Sequence, residues 1–108
     1  MGCIFCKIAN HEIPKEFTYE DDEVMAFPDI NPIAKVHILV MPKKHIEDFL
    51  MIEDKELMDK LRIVADKIIR DQKLEDKGYR VVINGGGAQI IDHLHLHIIG
   101  PLGMSVKM

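Results

Sequence analysis

Apolar residues recur at Leu57, Leu61, Val64, Ala65, Ile68 and Ile69. That spacing draws one stripe along a helix with a period of about 3.6 residues. Asp54 precedes the stripe as the N-cap, with Leu57 where a full capping box would place Glu. Lys67, Arg70 and Lys73 suit the negative end of the helix dipole, and Gly78 marks the exit. Ile4, Phe5 and Ile8 fit one or two further helical turns that stop before Pro14. Elsewhere the pattern is that of strands: Phe17 to Glu20, Val24 to Phe27, Val36 to Pro42, Tyr79 to Asn84 and Leu94 to Ile99. A charged turn ("EDDE"), a proline-rich loop ("PDINPIAK") and a glycine run ("GGGA") separate them. The order is therefore short helix, three strands, long helix, two strands. Short connections between strands predict an α+β fold, a mostly antiparallel five-stranded sheet with the long helix on one face. With no repeat and no linker, residues 1–108 are expected to form one domain, 103–108 being a tail.

Composition narrows the classes. The chain is 47% hydrophobic and 30% charged, which excludes general disorder. A net charge of −4 gives no reason to expect nucleic acid as a partner. The longest apolar run is about seven residues, against the roughly 18 needed to cross a bilayer, so no membrane span is expected. The opening MGCIFCKIAN has no long apolar segment and no small-residue cleavage site, which leads us to expect a cytoplasmic protein. Cys6 stands where a myristoylation motif wants Ser or Thr.

The chemistry gathers in "DHLHLHIIG", Asp92 to Gly100. On a strand His93, His95 and His97 share one face, while Leu94, Leu96 and Ile98 share the other and read as core. Same-face Cα atoms lie about 6.6–7 Å apart, so three histidines in line rarely converge on one ion. Just upstream, "NGGGAQ" can bring backbone N–H groups against an anion, although a glycine run alone also fits a flexible connection. An imidazole beside a phosphate can attack phosphorus and leave again. Cys3 and Cys6 form a Cys-x-x-Cys pair that reads as a metal half-site, a redox pair or two small apolar residues. No strand precedes them, which is unlike the redox arrangement.

"CIFCKI", "FPDINPIAKVHILVMPKKH" and "INGGGAQIIDHLHLHIIG" together resemble the histidine triad family of nucleotide-binding hydrolases and transferases. The likeness runs from Cys3 to Gly100. The Gly-Pro after the triad and the "EIP…EDD" opening are most similar to the Hint branch, which hydrolyses purine nucleoside phosphoramidates. Other branches hydrolyse dinucleoside polyphosphates or transfer nucleotides. A nucleotide-binding, zinc-stabilised interaction module is the alternative from outside enzymology. The resemblance implies a homodimer that joins two sheets, and a purine nucleotide, AMP- or GMP-like, as ligand. It makes His95 the nucleophile. His97 positions the phosphate and His37 supports its pocket. Asn84 and Gln89 hydrogen-bond phosphate oxygens or the leaving group, and the Ala88 N–H helps bind the phosphate. Asp29 accepts from ribose hydroxyls, while Ile4, Phe5, Ile8, Phe27, Ile30 and Leu39 wall the base and sugar.

Some members hold a structural zinc with a Cys-x-x-Cys, the His of "PKKH" and the first triad histidine, here Cys3, Cys6, His45 and His93. Four such ligands leave no open position. In members without zinc the residue at His93 hydrogen-bonds the catalytic histidine instead. The chain departs from the Hint pattern in a glycine loop about two residues shorter, in Ala88 for a glycine, and in Ile90 for a Ser or Thr that aids phosphate binding. Bland readings stand beside these. Ile8, Phe27 and Leu39 also suit ordinary core, Asp29 suits any turn, and a histidine such as His37 on an apolar strand is often buried and satisfied. Met25, Met41, Met51 and Met58 read as packing filler, and Lys43 and Lys44 as a solvated pair. His11 has no assigned role.

Overall fold

The computed structural model describes residues 2–104. The elements are α1 (Ile4–Ala9), β1 (Tyr19–Glu20), β2 (Val24–Pro28), β3 (Val36–Pro42), a 3-10 turn (Phe49–Met51), α2 (Lys55–Asp71), β4 (Arg80–Ile83) and β5 (Leu96–Gly100). All strand pairs are antiparallel, in the order β1-β2-β3-β5-β4. This is the expected α+β sheet. The expected tail falls partly on residues 105–108, which lie outside the described ones.

The strands explain themselves by alternation. Val24, Ala26, Ile38, Val40, Leu96 and Ile98 meet the stripe of α2 in one buried cluster. Met25, Phe27, Leu39 and Met41, their chain neighbours, point to the opposite face and pack against Phe5 and Ile8 of α1. The register sets Leu39 opposite His97 and His37 opposite Ile99. His37 and His97 therefore belong to the α1 face.

The start of α2 is as expected: the Asp54 carboxylate accepts from the N–H groups of Glu56 and Leu57. Its exit is not at Gly78. Lys73 takes the left-handed conformation at φ 59°, and the Leu74 N–H reaches back to the Ile69 carbonyl at 3.0 Å. That is the six-to-one bond of a Schellman ending, and the buried Leu74 anchors it. Gly78 serves a different need: a Cβ there would meet the Gly103 carbonyl oxygen at 1.7 Å, so only glycine lets the C-terminal segment lie against it.

Other expectations shift. The last strand begins at Leu96, leaving His93 and His95 in the irregular approach to it. Met25 and Met41 are buried filler, but Met51 is exposed. Lys43 is tied to Glu20 at 2.7 Å, and His11 shares the same carboxylate oxygen at 2.6 Å. Among the described residues no helix is long and apolar enough to cross a membrane.

Candidate functional site

The α1 face is built in two adjoining parts. The first begins with Cys3, the N-cap of α1, whose sulfur accepts from the Cys6 N–H at 3.4 Å. One turn separates the two sulfurs. His45 follows β3 and His93 precedes β5, so the chain brings four potential ligands from three regions to one point. The Sγ atoms of Cys3 and Cys6 lie 3.4 and 3.6 Å from His93 Nδ1, and Cys6 Sγ lies 3.2 Å from His45 Nδ1. All four donor atoms lie within 4.8 Å of one another. Sulfur and nitrogen on a tetrahedral zinc are separated by about 3.6 Å, given its usual bond lengths. The donor set and its spacing both fit that ion.

The surroundings prepare these ligands. His93 Nε2 lies 2.7 Å from the Pro42 carbonyl, so it carries the proton and donates, which leaves the Nδ1 lone pair for a metal. Burial, and then the neighbouring His45 and His95, lower the pKa of His93 and keep it neutral. His45 turns its other nitrogen to the Glu47 carboxylate at 3.7 Å. Burial and the adjacent Cys3 thiol push the Cys6 thiol up to about 11. A dication would reverse that balance by drawing both sulfurs into thiolates.

The second part holds the other histidines, and hydrogen bonds assign their tautomers. His95 Nδ1 lies 2.8 Å from the His93 carbonyl and must donate to it, leaving the Nε2 lone pair free. The Ile33 N–H donates to His37 Nδ1 at 3.2 Å, so His37 carries its proton on Nε2. That proton goes to His97 Nδ1 at 2.9 Å. His97 must then bear its own proton on Nε2. Among the described residues, His97 Nε2 is the one buried side-chain nitrogen or oxygen without a partner. Such an unmatched donor costs about 1–3 kcal/mol. Burial first, and then His95 and His37, lower the His97 pKa, so it stays a neutral donor. Its ring centroid stands 4.9 Å from that of His95.

Asp29, His37 and His97 also come close enough together to suggest a metal. The tautomers argue against it, because His37 Nε2 carries a proton as long as Nδ1 accepts from Ile33. Asp29 instead accepts from the Asn31 N–H at 2.9 Å and leaves its second oxygen 3.4 Å from His37 Nε2.

The matching sequence model is that of the HIT domain, over residues 10–103. The chain belongs to the HIT family. An uncharacterized HIT-like protein of Methanocaldococcus jannaschii is 48% identical over 99 residues, 90% of this chain and 77% of that one. A HIT family hydrolase of Legionella pneumophila shares the fold with a TM-score of 0.89 at 42% identity, over 96% of both chains. A histidine triad nucleotide-binding protein of Candida albicans matches with a TM-score of 0.84 at 33% identity, over 99% of this chain and 82% of that one. The HIT match begins after Cys3 and Cys6, so the metal half-site lies on a segment that precedes it.

The remaining expected residues fall into three groups. Phe5, Ile8, Phe27 and Leu39 are buried together. Phe5 also sets its ring edgewise against both His93 and His95, at 5.7 and 5.2 Å between centroids. Ile4 and Ile30 stand exposed outside that cluster. The glycine-loop residues are engaged with their own loop. The Ala88 N–H donates to the Gly85 carbonyl at 3.1 Å, and the buried Gln89 accepts from the Gly87 N–H while donating to the Glu47 carbonyl at 2.8 Å. Asn84 is half-buried at the start of that loop. Ile90 is exposed at its end. Sequence reasoning did not reach Glu47, Asp48, or the carbonyl and amide partners that set the tautomers. The Glu47 and Asp48 contacts join residues 42 and 38 positions apart, and the bonds that set the tautomers depend on how each ring turns, so neither carries a signal along the chain.

Proposed function

We propose that this HIT family member is a purine nucleotide-binding hydrolase acting through a nucleotidyl-His95 intermediate. One observation carries the reading: His95 presents an Nε2 lone pair beside His97, whose Nε2–H has no acceptor among the described residues. In the first step His95 Nε2 attacks the α-phosphorus of a nucleoside phosphoramidate or related adduct. The phosphorus–nitrogen bond breaks, its electron pair leaves with the amine, and the amine takes up a proton from solvent water. The positive charge on the His95 ring is held by the His93 carbonyl, and His97 donates to a phosphoryl oxygen. Water then attacks the same phosphorus and gives up a proton to solvent, the phosphorus–nitrogen pair returns to His95 Nε2, and the nucleoside monophosphate is released.

His37 acts by fixing the His97 tautomer. Asp29, with one carboxylate oxygen free of the turn, accepts from the ribose hydroxyls. Ile4 and Ile30 at the surface, with Phe5, Ile8, Phe27 and Leu39 behind them, form the wall for the base. Asn84, Gln89 and the Ala88 N–H contact phosphate once the Ala88 bond to Gly85 and the Gly87 bond to Gln89 give way, the bonds to Glu47 and Asp48 staying in place. Cys3, Cys6, His45 and His93 would hold a zinc ion, which would supply charge and cross-linking and no chemistry on the substrate. The Candida protein named for nucleotide binding supports the ligand class. A homodimer fits the groove of about 520 Å³ between α2 and β4, lined by Leu61, Ala65, Ile69 and Val81. We place the protein in the cytoplasm, where the thiols stay reduced.

Denaturing the protein after brief exposure to labelled nucleoside phosphoramidate tests the reading. Wild type should retain label and His95→Ala should not, while both bind AMP. An absence of label on a wild type that binds AMP would leave a nucleotide-binding module. The closed loop amides favour that second reading. Turnover of diadenosine polyphosphate in preference to the phosphoramidate would reassign the leaving group.

A further inference from the structure

Asp48 sits at the N-cap of the 3-10 turn, where an Asp ordinarily caps its own helix, yet its side chain makes no capping bond. The carboxylate reaches across to the glycine loop instead. Its Oδ1 accepts from the Gly86 N–H at 3.3 Å. A Cβ at Gly85 would meet the same oxygen at 2.6 Å, so the residue type at 85 is what admits Asp48. The neighbours of Asp48 act in the same direction. The Ile46 carbonyl accepts from the Leu94 N–H at 2.6 Å, and the Glu47 carbonyl accepts from Gln89 at 2.8 Å. Three consecutive residues thus brace three successive points of the segment from Gly86 to Leu94. That segment begins in the glycine loop and ends beside His95.

We propose that Asp48 is a positioning residue for the phosphate-contacting loop. It holds Gly86 so that Asn84 and Gln89 stay at a fixed separation on either side of it. Gly86 and Gly87 both have left-handed φ, 64° and 95°, and a stretch of glycines has the most conformational freedom to lose on binding. Fixing Gly86 in advance removes part of that loss from the binding step. The three bracing residues directly follow His45, so the candidate metal ligands and the loop share one brace. This inference rests on the nucleotide reading, since a loop that meets no phosphate needs no such preparation.

The test compares the full-length, metal-loaded wild type with Asp48→Ala and Asp48→Asn. The readouts are amide hydrogen exchange at Gly86, Gly87 and Ala88, AMP affinity by calorimetry, and steady-state kinetics on adenosine phosphoramidate. Loss of one such bond should speed exchange and weaken AMP binding by about fivefold in Asp48→Ala. KM should rise by a similar factor with kcat within about twofold. Asn keeps an acceptor oxygen and should restore all three. Gly85→Ala should reproduce the loss in wild type but add nothing to Asp48→Ala, because the clash needs the carboxylate. Unchanged exchange and unchanged affinity in Asp48→Ala, with AMP bound by wild type, would overturn the role of Asp48 alone. An Asn variant as impaired as Ala would also overturn it. A wild type that does not bind AMP would sink the nucleotide reading, and the positioning role with it.

Discussion

On the α2 side of the sheet, Val24, Ala26, Ile38, Val40, Leu96 and Ile98 close against an apolar helix stripe. On the α1 side, residues one position along the same strands carry Phe27, Leu39 and Met41, but also His37 and His97. A single-residue alternation therefore separates a face that holds the fold from a face that carries the proposed chemistry. The first face tolerates a loss of packing up to the limit of stability. The second depends on which nitrogen bears each proton, a property set by the carbonyls of His93 and Pro42 and the amide of Ile33.

The two faces should fail differently. The largest effect belongs to the α1 side: His95→Ala should lower kcat for a nucleoside phosphoramidate by about a thousandfold or more and leave AMP binding and the fold in place. Leu61 is fully buried on the other side, and Leu61→Ala should cost about 2–5 kcal/mol in denaturant unfolding with KM and kcat unchanged below the transition. A Leu61 variant that lost activity while still folded would break the separation of the faces. Cys3→Ser, or chelation, should remove zinc and lower Tm by about 10 °C. Turnover should fall far less than in His95→Ala, because the His93 carbonyl is also held through the Pro42 contact. The smallest effect is on pH dependence. Burial lowers the His97 pKa below its ordinary 6.5, so the unfolded chain binds more protons below that pH. His97 therefore leaves stability unaffected above about pH 6.5 and reduces it as pH falls toward the folded pKa. A His97→Asn variant should show a shallower fall of Tm between pH 7 and 5 than wild type.

Much of this architecture is legible in local pattern. The stripe from Leu57 to Ile69 and the alternation from Leu94 to Ile98 state both faces, because each period is short compared with the element that carries it. The end of α2 is not legible in the same way. Gly78 is the obvious stop, yet Lys73 takes the left-handed turn because burying Leu74 rewards an earlier ending. The four candidate metal ligands follow from resemblance, and the structure brings them together as a group that could hold an ion. The glycine run suggests open amides, but Gln89, Gly85 and Asp48 occupy them. Those partners are chosen by tertiary proximity, which a pattern along the chain does not record.

The division of labour within "HLHLH" is open to direct measurement. Long-range nitrogen–proton NMR correlations report which ring nitrogen of each histidine carries its proton. Nδ1–H is expected for His95 and Nε2–H for His93, His37 and His97 in the neutral, ligand-free protein. Addition of zinc should move the Nδ1 signals of His45 and His93 and leave the His95 tautomer as it is. A His95 ring protonated on Nε2 would contradict the account, because its lone pair would then face the His93 carbonyl and no nucleophile would remain.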